Sequence, residues 1–154
     1  MREIKFRAWV KAVRRQAVSP FMQYFTLEDV RSDGFNNQGI KTAKYEWLAD
    51  LEDCEIMQYT GLKDKNGREI YEGDILQTTR FNWKELGHPS HKTNLTNICY
   101  VFWDEERLAF RADGKFKGGG GFGWGFPIAD DRADKTEIEV IGDIYSSPEL
   151  MEVG

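Results

Sequence analysis

Two cysteines and two histidines are all that 154 residues offer toward soft metal sites or nucleophilic chemistry. Cys54 and Cys99 lack a Cys-x-x-Cys spacing and have no histidine close in sequence. They are expected to be two reduced, partly buried thiols of a cytosolic protein. His88 and His91 flank Pro89 in a polar stretch, with only Glu85 nearby. A metal site needs three or four ligands in fixed geometry, so no metal and no cofactor are expected. Ser19, Ser146 and Ser147 lie beside proline or near the chain end, and nothing suggests a Ser–His–Asp arrangement. Apolar runs of bilayer length are missing too. The start, Met1–Phe6, alternates charged and apolar residues instead of opening a signal peptide. A soluble intracellular protein, with no membrane partner, is expected. A positive excess is also lacking: the net charge of −5 argues against a chain-wide nucleic-acid surface.

What is abundant is glycine, 15 residues, and aromatic side chains, 14% of the chain. That combination suits a mainly β protein with many turns. The length fits one domain, or one domain with a small appendage, and supports a core without disulfides or metals. Charge is segregated. Residues 1–44 hold 9 Lys and Arg against 4 Asp and Glu, a balance of +5, and the remainder holds 12 against 22, a balance of −10. Such asymmetry suits a contact within or between copies of the chain, or an anionic partner for the first segment.

In chain order, Ile4, Phe6, Ala8 and Val10 alternate with Lys5, Arg7, Trp9 and Lys11. Period 2 predicts a strand with one apolar and one cationic face. Lys11–Ser19 reads as a basic turn, and Phe21–Leu27 as the returning arm of a hairpin. Asp33–Gly39 reads as a mobile loop. Tyr45, Leu48 and Leu51 fall at helical spacing behind a Thr42 cap, so a short helix is expected within Thr42–Asp53. Ile56–Thr60 is a strand. Asn66-Gly67 then predicts a two-residue hairpin turn, and Glu72-Gly73-Asp74 a second turn, braced by Asp74, that launches a strand from Ile75. Residues 82–97 read as an excursion loop. Ile98–Trp103 is the most β-prone run, turned by Asp104-Glu105-Glu106 into a pairing strand at Leu108–Arg111. Glu137–Ile141 is a strand, and Ser147-Pro148-Glu149-Leu150 a final helical turn started by proline. Short strands, tight turns and one excursion make the pattern of a small closed barrel.

Four pieces of this chain resemble the YopX family, which is encoded mainly in bacteriophages and prophages. They are Ile4–Trp9, Met57–Gly67, Glu69–Ile75, and Glu139–Tyr145 with Pro148-Glu149-Leu150. They occur in order and frame nearly the whole chain. The resemblance implies a β-rich N-terminal segment, residues 1–57, followed by an SH3-like barrel, residues 58–154. It carries no activity with it, and hence no catalytic residues. The basic stretch Val10–Gln16 and the glycine–aromatic run at 118–126 depart from the family pattern. Function particular to this member is expected there.

Two candidate binding surfaces follow. One is the basic–aromatic patch of Arg7, Trp9, Arg14 and Arg15, with Lys11. Cations displace phosphate counterions and aromatics stack on bases, but these charges are few. The other is Phe122, Trp124 and Phe126, alternating with glycine in a loop at 117–127. It offers stacking platforms or partner anchors; alternatively the run folds back as a strand with close backbone approach. Gly118, Gly120 and Gly123 spell G-x-G-x-x-G, but Pro127 follows where a phosphate-binding helix would start. The carboxylates Asp104, Glu105, Glu106 and Asp130, Asp131, Asp134 read as solvated turns rather than acid–base pairs. The expected function is therefore a non-catalytic accessory protein that self-associates or binds a protein. The alternative is a small nucleic-acid-binding protein.

Overall fold

The computed structural model describes residues 3–13, 16–26, 35–36, 39–42, 45–78, 97–116, 121–127 and 138–152. Among the described residues the protein is mainly β, with twelve strands, two short 3-10 turns and no α-helix. The chain divides into two compact units, Met1–Gly61 and Leu62–Gly154.

The first unit is built on β1 (Lys5–Val13), which pairs antiparallel with β2 (Gln16–Thr26) on one side and β6 (Cys54–Lys63) on the other. The expected alternation holds. Phe6 stands opposite Phe25, Ala8 opposite Ile56, and Val10 opposite Phe21 and Cys54. Ala8, Val10, Phe25 and Cys54 form the core, with Phe6 and Phe21 packed against it. Phe6 and Phe25 stack at 6.0 Å between ring centroids. Each large apolar side chain buried this way contributes about 1.5–3 kcal/mol.

A second, small sheet of this unit joins β3 (Phe35–Asn36), β4 (Gly39–Thr42) and β5 (Tyr45–Asp50). Two expectations fail here. The Asp33–Gly39 stretch contains strand rather than loop alone, because Asn36 pairs with Gly39 and Phe35 with Ile40. Thr42–Asp53 is not a helix: Tyr45–Asp50 pairs with β4, and only Leu51–Asp53 makes a 3-10 turn. Tyr45, Trp47 and Ala49 also fit period 2, and cross-strand pairing overrides a helical spacing carried by few residues.

The second unit is a five-stranded antiparallel sheet in the order β11-β10-β9-β8-β12. Its strands are β8 (Asp74–Thr78), β9 (Asn97–Asp104), β10 (Ala109–Phe116), β11 (Gly121–Pro127) and β12 (Ile138–Asp143). The end of β6, Leu62–Lys63, belongs to this unit, and the chain turns there into β7 (Glu69–Tyr71). Ile70, Leu76, Val101, Phe110, Ala112 and Val140 form its core. The hairpin at Asp64–Arg68 lies against β12, since the Lys65 N–H donates to the Ile138 carbonyl at 2.9 Å. The sheet has a half-barrel curl, consistent with a small β-barrel. The 3-10 turn Pro148–Met151, started by proline as expected, folds back over β12. A Cβ on Gly142 would stand 2.8 Å from Leu150 Cδ1.

The Asn66-Gly67 hairpin forms, but with different geometry. Asp64 and Arg68 close it, with Asp64 N–H donating to Arg68 O at 2.8 Å and Gly67 N–H to Asp64 O at 3.0 Å. Gly67 has φ +81°, whereas Asn66 does not have a positive φ. The loop is therefore three residues with glycine at its left-handed end, rather than a two-residue type I′ turn.

Candidate functional site

The structure splits the expected basic patch. Arg7 is 1% exposed, between Tyr24 of β2 and Met57 of β6. It is not a surface residue, which corrects its place in a binding patch. Tyr24 and Met57, its cross-strand partners, present their side chains on the same face of the sheet as Arg7. Trp9 is half-buried, opposite Met22 and Glu55. Lys11 is exposed, but its Nζ meets Glu55 Oε1 at 2.6 Å. Lys5 reaches Glu3 at 3.0 Å and lies 5.8 Å from the Tyr59 ring centroid. Lys5 and Lys11 are thus engaged within their own unit. Arg14 and Arg15 lie outside the described residues.

Phe122, Trp124 and Phe126 belong to β11. Residues 121–127 are strand rather than loop, and 117–120 lie outside the described residues. Phe122 stands opposite Gly114 and Phe126 opposite Ala112. Gly123-Trp124-Gly125 therefore faces the single residue Asp113, a bulge placed at the glycines. The two expected surfaces lie in different units. His88, His91 and Asp130, Asp131, Asp134 lie outside the described residues, as does the excursion stretch up to residue 96. Among the described residues, no group of three or more His, Cys, Asp and Glu could hold a metal ion. No helix among them is long and apolar enough to cross a membrane.

Three buried aspartates of the second unit are braces. Asp64 Oδ1 accepts the N–H groups of Asn66 at 2.8 Å and Arg68 at 2.9 Å, and its Oδ2 accepts that of Val140 at 3.1 Å. Burial opposes its ionisation. The N–H groups of Val140, Arg68 and Asn66, with the Arg68 charge, outweigh burial and hold the carboxyl below its ordinary value. Asp143 Oδ1 accepts Tyr145 N–H at 3.0 Å and Ser146 N–H at 2.8 Å, and its Oδ2 accepts the Ser146 hydroxyl. Asp74 accepts Tyr71 N–H at 2.7 Å, as the turn chemistry implied. Asp64 and Asp143 were legible only as aspartates one or two residues before turn residues, the setting of an Asx turn.

One exposed feature remains that turn chemistry does not require. The β9–β10 hairpin closes at the Asp104–Ala109 pair. Asp104 Oδ1 accepts Arg107 N–H at 3.1 Å, its Oδ2 accepts Arg107 Nη1 at 3.0 Å, and Arg111 Nε lies 3.4 Å from that Oδ2. Burial works against this carboxylate, but the Arg107 N–H, the Arg107 side chain and the charges of Arg107 and Arg111 hold its pKa low. On this braced turn Leu108 has φ +50° and is 74% exposed. Among the described residues it is the non-glycine with positive φ. Trp103 is 41% exposed, its ring edge-on to Phe110 at 5.0 Å. Asp104-Glu105-Glu106 was expected to be a solvated turn and Leu108 the first residue of the returning strand, but Leu108 stays in the turn and β10 starts at Ala109. Its signal was an apolar residue at the end of a charged turn, where glycine or asparagine is usual.

No curated protein matches the chain. Among solved structures, it is similar to the crystal structure of protein EF1440 from Enterococcus faecalis. The two are 20% identical, over 96% of this chain and 97% of that one, with a TM-score of 0.40. The family model described as YopX protein matches residues 5–152, nearly the whole length, and the chain belongs to the YopX family.

Proposed function

We propose that the protein is a non-catalytic accessory module, encoded by a phage or prophage and working in the bacterial cytoplasm, that binds protein through its β9–β10 hairpin. The observation that carries this reading is Leu108. A left-handed leucine costs about 1–2 kcal/mol of backbone strain, and a side chain 74% exposed recovers little by burial. Neither helps the isolated chain. Both suit an anchor held ready for a partner's pocket, beside the exposed Trp103. The Asp104 brace keeps that anchor ordered before binding.

The buried carboxylates support a role without chemistry, because Asp64 and Asp143 spend their oxygens on backbone donors. The nucleic-acid reading loses support on β1, where Arg7 is buried and Lys5 and Lys11 are paired. The test compares proteins retained from induced host cells by the wild-type chain and by a Trp103→Ala, Leu108→Gly variant. Each selectively lost protein is then purified and titrated. A binary complex weakened at least tenfold by the variant is expected. Identical retention by both chains, or retention of DNA that weakens steeply with salt, would end the reading.

A further inference from the structure

Six asparagines occur in the chain, and one of them, Asn66, is followed by glycine. The others precede Asn37, Gln38, Trp83, Leu95 and Ile98. The backbone nitrogen of the residue after an asparagine can attack its carboxamide carbon, and a side chain on that residue obstructs the attack. Glycine has none. Asn66 and Gly67 are both exposed, and nothing lies within 4 Å of the place where a Gly67 Cβ would stand. The hydrogen bonds of the turn restrain the pair instead. The Gly67 N–H donates to the Asp64 carbonyl at 3.0 Å, and the Asn66 N–H to Asp64 Oδ1 at 2.8 Å. Attack requires the Gly67 nitrogen to lose its proton and turn toward the carboxamide, which breaks the first of these bonds. The Asn66 side chain is held more loosely, with its Nδ2 3.4 Å from Glu139 Oε1 in an exposed position.

We infer that Asn66-Gly67 is a site of spontaneous covalent modification, closed while the hairpin is folded and open when it is not. The Gly67 nitrogen bonds to the Asn66 Cγ, the Cγ–Nδ2 bond breaks, and the Nδ2 group leaves as ammonia with the proton that the Gly67 nitrogen gives up. Water then opens the cyclic imide. Cleavage of the new bond leaves aspartate. Cleavage at the Asn66 main-chain carbonyl leaves isoaspartate, whose backbone runs through Cγ and is one carbon longer. Water is the co-reactant, and nothing is oxidised or reduced. Both products act against the turn. A carboxylate replaces the amide that faced Glu139, beside the Lys65–Glu139 ion pair, and like charges repel. In isoaspartate the longer backbone no longer presents the Asn66 and Arg68 N–H groups together to Asp64 Oδ1. The same Asp64 carboxylate holds Val140 of β12, so damage at the tip reaches the closure of the sheet. The modification thus marks chains whose hairpin has opened and hinders its closing again.

Incubation of the full chain in mildly alkaline buffer, with and without unfolding concentrations of guanidinium chloride, tests it. The peptide containing Asn66 is followed by mass for the amide-to-acid change, and chromatography separates its two products. In denaturant Asn66 is expected to convert while Asn82, Asn94 and Asn97 remain amides. Without denaturant its conversion should be about tenfold slower or more, because it waits on opening of the hairpin. Gly67→Ala, compared in denaturant so that its folding plays no part, should slow the conversion about tenfold or more, since its Cβ obstructs the attack. Chains carrying isoaspartate, returned to buffer, should melt below unmodified chains. An Asn66 that converts as fast in buffer as in denaturant overturns the closure by the fold. An Asn66 no faster in denaturant than the other asparagines, or indifferent to Gly67→Ala, overturns the site. Isoaspartyl chains that melt with the unmodified protein overturn the damage to the turn.

Discussion

The Asp64 carboxylate accepts the backbone N–H of Val140 at 3.1 Å, joining the central hairpin to the last strand across 76 residues of chain. Hydrogen bonds from Asn66 and Arg68 fix the same side chain to its own turn. One residue therefore shapes the hairpin and closes the sheet on β12. Asp64→Ala removes the acceptor and leaves the Val140 N–H buried without it. A loss of about 2–3 kcal/mol is expected, read as a lower urea midpoint. Asp64→Asn, which keeps one acceptor oxygen, should lose less. Equal melts for wild type and Asp64→Ala would show that the brace is idle.

The same carboxylate gives an acid limb to stability. Its ordinary pKa is 3.8, and the fold holds it lower. Between the two values the unfolded chain binds a proton that the folded chain refuses, so stability falls as pH falls. The contribution is complete above about 3.8, and it is lost as pH drops through the folded value. Asp104 acts in the same direction at the β9–β10 turn. Asp64→Asn should flatten the loss of stability below that pH relative to wild type. Parallel pH profiles for the two would assign the acid limb to other groups.

Glycine substitutions should rank by cause. At Gly67, φ is +81° and nothing lies within 4 Å of an added Cβ. Gly67→Ala should therefore cost strain alone, about 1 kcal/mol. Gly73 combines φ +76° with burial, and its N–H donates to Val101 O at 2.8 Å. Gly114, opposite Cys99, would place a Cβ 2.1 Å from Ile98 O and 2.6 Å from the Cys99 Cα. Backbone cannot yield there as a flexible side chain would. Gly73→Val and Gly114→Ala should each lower the thermal midpoint well beyond Gly67→Ala. The reverse order would misplace these positions.

Cys99 should be inert in the folded protein. Burial, with the Asp113 charge adding to it, pushes its thiol up to about 12, and its Sγ lies 3.8 Å from the Leu76 carbonyl. Cys54 is 6% exposed. The thiolate is the reactive form. Iodoacetamide at pH 8 should leave both unmodified in the native state and modify both in denaturant, as read by intact mass. Full native labelling of Cys99 would contradict the burial of its sulfur.

Where local chemistry decided the outcome, it was legible. Phe6, Ala8 and Val10 announced β1 and its core face, and Pro148 the final turn. Where partners distant in sequence decided it, local signals misled. Tyr45, Leu48 and Leu51 spelled a helix, but pairing with Gly39–Thr42 made a strand. Arg7 read as a surface cation because β1's alternation says nothing of what covers its second face; Tyr24 and Met57 flank it there. Glycines 123 and 125 left a loop and a strand folding back both open, and the register with β10 makes the run a bulged strand. Leu108 read as the start of the returning strand for a different reason: propensity describes what a turn ordinarily tolerates, and a leucine kept against that preference looks like part of the next element.

Leu108 therefore yields the sharpest separation of stability from function. Glycine at φ +50° relieves a strain of about 1–2 kcal/mol. Glycine's greater freedom in the unfolded chain returns roughly 0.5–1 kcal/mol of that gain. Leu108→Asn, which tolerates the left-handed region with a side chain retained, should keep more of it. Both variants should fold at least as stably as wild type, by thermal melt. Both should lose protein binding at the hairpin, since the anchor is gone while the Asp104 brace remains. A residue serving only the fold would show the opposite pattern, lower stability with binding intact, and that result would remove the hairpin as the contact surface.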